Sequence, residues 1–133
     1  MKRLAVLILS VAFSLPVMAS DDSHEEPVQH LEIADVTNLE DAKRIFVETT
    51  AQIRSKEKLD PAELQQIHVI TYSLEKSVAY FVENTEGERH ELAEEIAEVV
   101  EEIHISSENG RQEETKEHLK EYFDMADRFA EGF

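Results

Sequence analysis

Cysteine is absent from this chain of 133 residues and histidine occurs six times. Any thiol chemistry, zinc ribbon or disulfide framework is therefore excluded, and imidazoles and carboxylates are what remains for binding or catalysis. The histidines are His24, His30, His68, His90, His104 and His118. Two of them are related by position. A break at 84–87 separates two helical patterns and centres near residue 86; His68 lies 18 residues before it and His104 lies 18 after it. In an antiparallel hairpin, residues equidistant from the turn share a level, because both helices rise about 1.5 Å per residue. Each also lies about 100° from the centre of its own apolar seam, in the same rotational sense, so the two flanks come together. Glu101 sits one turn before His104, and Tyr72 one turn after His68. Two imidazoles and a carboxylate suffice for zinc or copper, or for an iron face with open positions, so His68, His104 and Glu101 are the predicted metal ligands. Glu101-x-x-His104 has the spacing of di-iron bundles, but those need it twice and it occurs once. His24 and His30 fall in a polar leader and His90 at a helix start, where solvation is expected. His118 is expected to pair with Glu102.

The elements that must carry these residues read as four amphipathic helices. Thr37-Asn38-Leu39-Glu40 fits a capping box, with Thr37 supplying the hydroxyl. Leu39, Ala42, Phe46, Thr49 and Ile53 then step by three and four, the seam of a packed helix. Asp60 caps the next helix, Pro61 suits its first position and Glu63 closes the box, with Leu59 and Leu64 at the staple positions. Its seam is Leu64, Ile67, Thr71, Leu74, Val78 and Phe81, widened by Val69, Ile70, Tyr72 and Tyr80. Thr85-x-x-Glu88 is the expected cap of a third helix, with Leu92, Ile96, Val99, Val100 and Ile103 inward. Asn109-Gly110 supplies a left-handed stop. A fourth helix carries Leu119, Tyr122, Phe123, Ala126 and Phe129 behind two nearly all-polar turns. Short breaks imply antiparallel neighbours, and no stretch alternates as a strand does. The expected fold class is all-α, an antiparallel up-and-down bundle of three to four helices. The open question is whether the first helix docks fully.

The charge of the chain is equally informative. Thirty acidic residues face thirteen basic ones, for a formal charge of −17. Such a surface repels nucleic-acid phosphate and anionic lipid, so neither is an expected partner. Three unclustered glycines cannot build a phosphate-cradling loop. Glu91, Glu94, Glu95, Glu98, Glu101 and Glu102 crowd four turns of the third helix, with like charges four residues apart. This face is either simply solvated, a docking surface for a basic protein, or a loose buffer for divalent cations; no calcium-hand loop is present.

The first residues read as an export signal. Lys2 and Arg3 precede an apolar run from Leu4 to Leu15, Pro16 breaks it, and Val17-Met18-Ala19 offers a cleavage site. Twelve residues are too few to cross a bilayer. Residues 1–19 are thus expected to be a cleaved signal peptide, 20–36 an acidic flexible leader, and 37–133 the helical bundle. Loss of Lys2 and Arg3 takes the charge from −17 to −19. The expected product is periplasmic, or secreted where there is no outer membrane, and is no longer tied to a membrane.

Two stretches carry a resemblance. Leu59-Asp60-Pro61-Ala62-Glu63-Leu64, running into Ile67-His68 and Thr71-Tyr72-Ser73-Leu74-Glu75, is one; Glu101-Glu102-Ile103-His104-Ile105-Ser106-Ser107-Glu108 is the other. Together they resemble a family of small exported bacterial proteins known only as a domain of unknown function, over about residues 30–129. That resemblance implies export and a helical fold, and it implies no mechanism. The plan is also distantly similar to periplasmic cytochrome bundles of the b and c-prime type. The fourth helix lacks their histidine, having Phe129 or Ala130 near its place, and there is no Cys-x-x-Cys-His. Met125, a conceivable haem ligand, falls far from the levels of His68 and His104, which argues against haem. Asp60-Pro61-x-Glu63-x-Gln65 is faintly similar to the Leu-Thr-x-x-Gln motif of periplasmic helical chaperones, with Asp60 in place of the threonine and the glutamine displaced.

No serine is presented on an elbow or loop beside a base, so an enzyme is not expected and no catalytic residue is assigned. The expected function is binding in the periplasm, of a divalent metal through histidines on a helical hairpin. The alternative is a chaperone-like or docking module for a basic partner.

Overall fold

The computed structural model describes residues 33–133. The predicted signal peptide, most of the predicted leader, and His24 and His30 lie outside the described residues. Four helices follow one another: α1 (Leu39–Arg54), α2 (Pro61–Asn84), α3 (Gly87–Glu108) and α4 (Gln112–Ala130). Among the described residues there is no strand, and no helix is long and apolar enough to cross a membrane. The predicted all-α bundle is thus observed, with four helices.

Each helix begins and ends for a local reason. α1 is capped one residue later than expected: Asn38, not Thr37, accepts from the Asp41 amide at 2.8 Å, and the Asp41 carboxylate accepts from the Asn38 side chain at 2.7 Å. An amide side chain both accepts and donates there, so the pair closes on itself without Glu40. The start of α2 follows its sequence signature. Asp60 accepts from the Glu63 amide, while the Glu63 carboxylate reaches back to the amides of Lys58 and Leu59 at 2.8 and 2.7 Å. Those bonds hold Leu59 at φ +49, a left-handed conformation that a bulky residue adopts at a cost of about 1 kcal/mol. The expected Thr85 box of α3 does not form. Thr85 donates instead to the Phe81 carbonyl at the end of α2, and Glu86 precedes α3 with no side-chain cap. α3 ends on a Schellman turn, with Gly110 at φ +67, its amide on the Ser107 carbonyl and the Arg111 amide on that of Ser106.

Connectors of a few residues make sequential neighbours antiparallel. α1 packs on α2, α2 on α3 and α3 on α4; α1 meets α4 more sparsely. α1 is nonetheless a full partner, burying Ala42, Phe46, Thr49, Thr50 and Ile53. The buried Ser77 hydroxyl of α2 donates to the Ala42 carbonyl at 2.7 Å, and Thr50 shares a 2.6 Å bond with the Tyr122 hydroxyl of α4. Leu39, expected on the first seam, and Val69, expected to widen the second, are 48% and 42% exposed. Val36, inside the expected leader, packs partly against the core, and Asp35 pairs with Lys76.

The core is graded along its length. Near the α2–α3 turn, Phe81 packs edge to face on Phe46 and Phe129, which are tilted to each other, and Phe133 joins them, with the Arg89 guanidinium 4.1 Å from the Phe129 ring centre. Towards the α3–α4 turn the interior becomes polar. His68, Thr71, Ser106, Ser107 and Thr115 are all buried there. Thr115 is bonded with the Ser106 hydroxyl, which explains how the polar first turns of α4 still dock. The Met125 side chain is part of the apolar core.

A candidate metal centre between the second and third helices

His68 of α2 and His104 of α3 meet edge to face with ring centres 4.8 Å apart. Tyr72 completes a three-ring cluster, 5.3 Å from His68 and 4.9 Å from His104. Both imidazoles therefore meet across the hairpin as their distance from the turn predicts. The carboxylate nearest them is not the expected one. The group whose ligand atoms all lie within 4.8 Å of one another is His68, His104 and Glu108, whereas Glu101 is exposed and stands outside it. The reason is the tilt of Cα–Cβ bonds towards a helix's N-terminus. Glu108, one turn beyond His104, leans back onto it; Glu101, one turn before, leans away. Glu75 on α2 leans back in the same manner and reaches His104 from the other side.

The bonds around His104 orient its ring. Nδ1 lies 2.9 Å from Glu75 Oε1 and 3.1 Å from Thr71 Oγ1. Thr71 spends its hydrogen on the His68 carbonyl at 2.6 Å, so towards His104 it offers a lone pair. Nδ1 is thus bonded on the α2 side, and Nε2 faces Glu108, 4.0 Å from Glu108 Oε2. A carboxylate on one imidazole nitrogen with the other nitrogen presented to a site is the arrangement that orients metal-ligating histidines and raises their basicity. Burial pushes the Glu75 carboxyl above the usual carboxylate range, while His104 pulls it back down and Glu101 pushes it up further.

His68 is almost wholly buried, with Nδ1 3.4 Å from the Gln65 amide nitrogen. A tetrahedral zinc holds its donors roughly 3.4 Å apart. The donor atoms here all lie within 4.8 Å of one another, so the ligands must close by at most about 1.4 Å, within the reach of the rotatable Glu108 side chain. Two imidazoles and one carboxylate leave a fourth position open.

The other histidines are placed as follows. His118 faces Glu102 across α3 and α4 at 3.9 Å, as expected, with Glu114 nearby in a second, more exposed group. His90 is not simply solvated: its Nδ1 donates to the Val82 carbonyl at 2.9 Å and its Nε2 lies 3.2 Å from Glu94, tying α3 to the end of α2. Sequence reasoning missed Glu75 and Glu108 as site residues; applied to positions 75 and 108, the direction of side-chain tilt finds both. All six crowded glutamates of α3 are exposed.

The chain belongs to the family described as "Family of unknown function (DUF6746)", whose model matches residues 1–131. No curated protein and no solved structure matches the chain.

Proposed function

We propose that this chain is an exported protein that acts by binding a divalent cation, zinc or copper, through His68, His104 and Glu108. The observation that carries the reading is the convergence of these three donors from α2 and α3, with the His104 ring oriented by Glu75 and Thr71 at Nδ1 so that Nε2 faces Glu108. His104 is contacted by carboxylates at both nitrogens, Glu75 at Nδ1 and Glu108 at Nε2, with the His68 ring beside it. Two nitrogen donors with an oxygen suit zinc or copper better than calcium or magnesium, which take oxygen ligands. Export is supported by the charged, apolar and small-residue order of residues 1–19, which the family match includes.

Calorimetric titration of the chelator-treated protein tests the reading. One zinc or copper ion is expected to bind at micromolar concentration, with binding abolished in His104→Ala, weakened in Glu108→Gln and unchanged in His118→Ala and Glu101→Gln. Equal binding by His104→Ala and wild type refutes it.

A further inference from the structure

Beside the metal centre, α2 and α3 leave a groove of about 460 Å³. Its floor is apolar: Ala79, Ala97, Val100 and Ile105, with Ile105 40% exposed. Small side chains at 79 and 97 open the space between the helices. Its polar lining is three carboxylates, Glu75, Glu101 and Glu108, against the single imidazole of His104, which contacts Glu75 and Glu108; no lysine or arginine borders it. The volume lies in the range of small-molecule sites and is too small for a helix.

We propose that this groove binds a small amphipathic amine, with an alkyl or aryl body on the apolar floor and a single ammonium group among the three glutamates. An apolar floor selects for a hydrophobic body, while unbalanced carboxylates in a partly desolvated site disfavour an anionic head and stabilise a cationic one. The groove shares His104 and Glu108 with the metal centre but not His68. A divalent ion at the shared end therefore repels the ammonium, and the two ligands exclude each other. This inference goes beyond the metal reading, and the two fail separately: Glu101 borders the groove without belonging to the metal group.

The test is calorimetric titration of the full chain with decylammonium below its micellar concentration, in the presence of a chelator, with decanoate as the matched anion. Decylammonium is expected to bind one to one and decanoate at least tenfold more weakly. Glu101→Gln should weaken the amine about five-fold, the upper range for one partly exposed charge, and leave zinc affinity unchanged. Ala79→Leu, an exposed helical position where leucine is well tolerated, should abolish amine binding by filling the groove. Saturating zinc should displace the amine. Equal binding of amine and anion, or undiminished binding by Ala79→Leu, overturns the proposal, as does amine binding that persists in protein shown by metal analysis to hold its zinc; if no zinc binds, the amine arms alone decide. Zinc binding without amine binding leaves the metal reading standing and removes this one.

Discussion

Replacing Glu75 separates an orienting carboxylate from a mere neighbour. Its bond to His104 Nδ1 is 2.9 Å, and the two side chains are 37% and 12% exposed. A charge-assisted bond of this length is worth about 1.5–3 kcal/mol when buried. Partial exposure of the carboxylate screens it, so about 1–1.5 kcal/mol is a reasonable share here. In Glu75→Gln the amide still hydrogen-bonds Nδ1, so the ring orientation survives and only the charge is lost; zinc affinity should fall about tenfold. In Glu75→Ala only Thr71 remains as acceptor, and the loss should approach a hundredfold. Competition titration against a chromophoric chelator reads both affinities, and far-ultraviolet circular dichroism confirms that each variant is folded. The desolvation that raises the Glu75 carboxyl is relieved in both variants, so thermal stability without metal should change little. Folded variants that bind zinc as tightly as wild type refute the orienting role.

Three further outcomes concern the fold that holds the site. Tyr122→Phe leaves the Thr50 hydroxyl buried without its 2.6 Å partner and should cost about 1 kcal/mol, or about 4–8 °C in melting temperature. Burial holds the Tyr122 phenol neutral well above its ordinary range, whereas the unfolded chain ionises near about 10. Its contribution is present below that pH and lost above it, so wild type should weaken more steeply than Tyr122→Phe in alkaline melts. Gly110→Ala meets no atom within 4 Å, so its cost is the left-handed backbone alone, about 1 kcal/mol; Gly110→Asn should cost less. Added NaCl should raise the melting temperature by screening the exposed α3 glutamates, and a flat response between low and moderate salt contradicts that repulsion.

The bundle was legible because helical patterns of three and four repeat clearly, and because Asp60-Pro61-x-Glu63 and Asn109-Gly110 have one structural meaning each. The meeting of His68 and His104 was legible for the same reason: level in a hairpin depends only on counting residues from the turn. What counting does not supply is where a long side chain ends. Glu101 and Glu108 both lie one turn from His104, and tilt towards the N-terminus decides between them. Caps were legible in kind but not in register, since Thr37 and Asn38 are both competent and Thr85 had a competing acceptor at Phe81. The groove was not legible at all. It depends on how far α2 and α3 splay around small residues, which no periodicity encodes.

Zinc-edge X-ray absorption on the protein loaded with one equivalent of zinc tests the central claim most directly, because it reads the ligand atoms and not only the affinity. The expected spectrum has four light donors at about 2.0–2.1 Å with the multiple scattering of two imidazole rings, reduced to one ring in a folded His68→Gln variant. A first shell of oxygens without imidazole scattering would mean that zinc sits on the acidic surface and that His68, His104 and Glu108 do not form a metal centre.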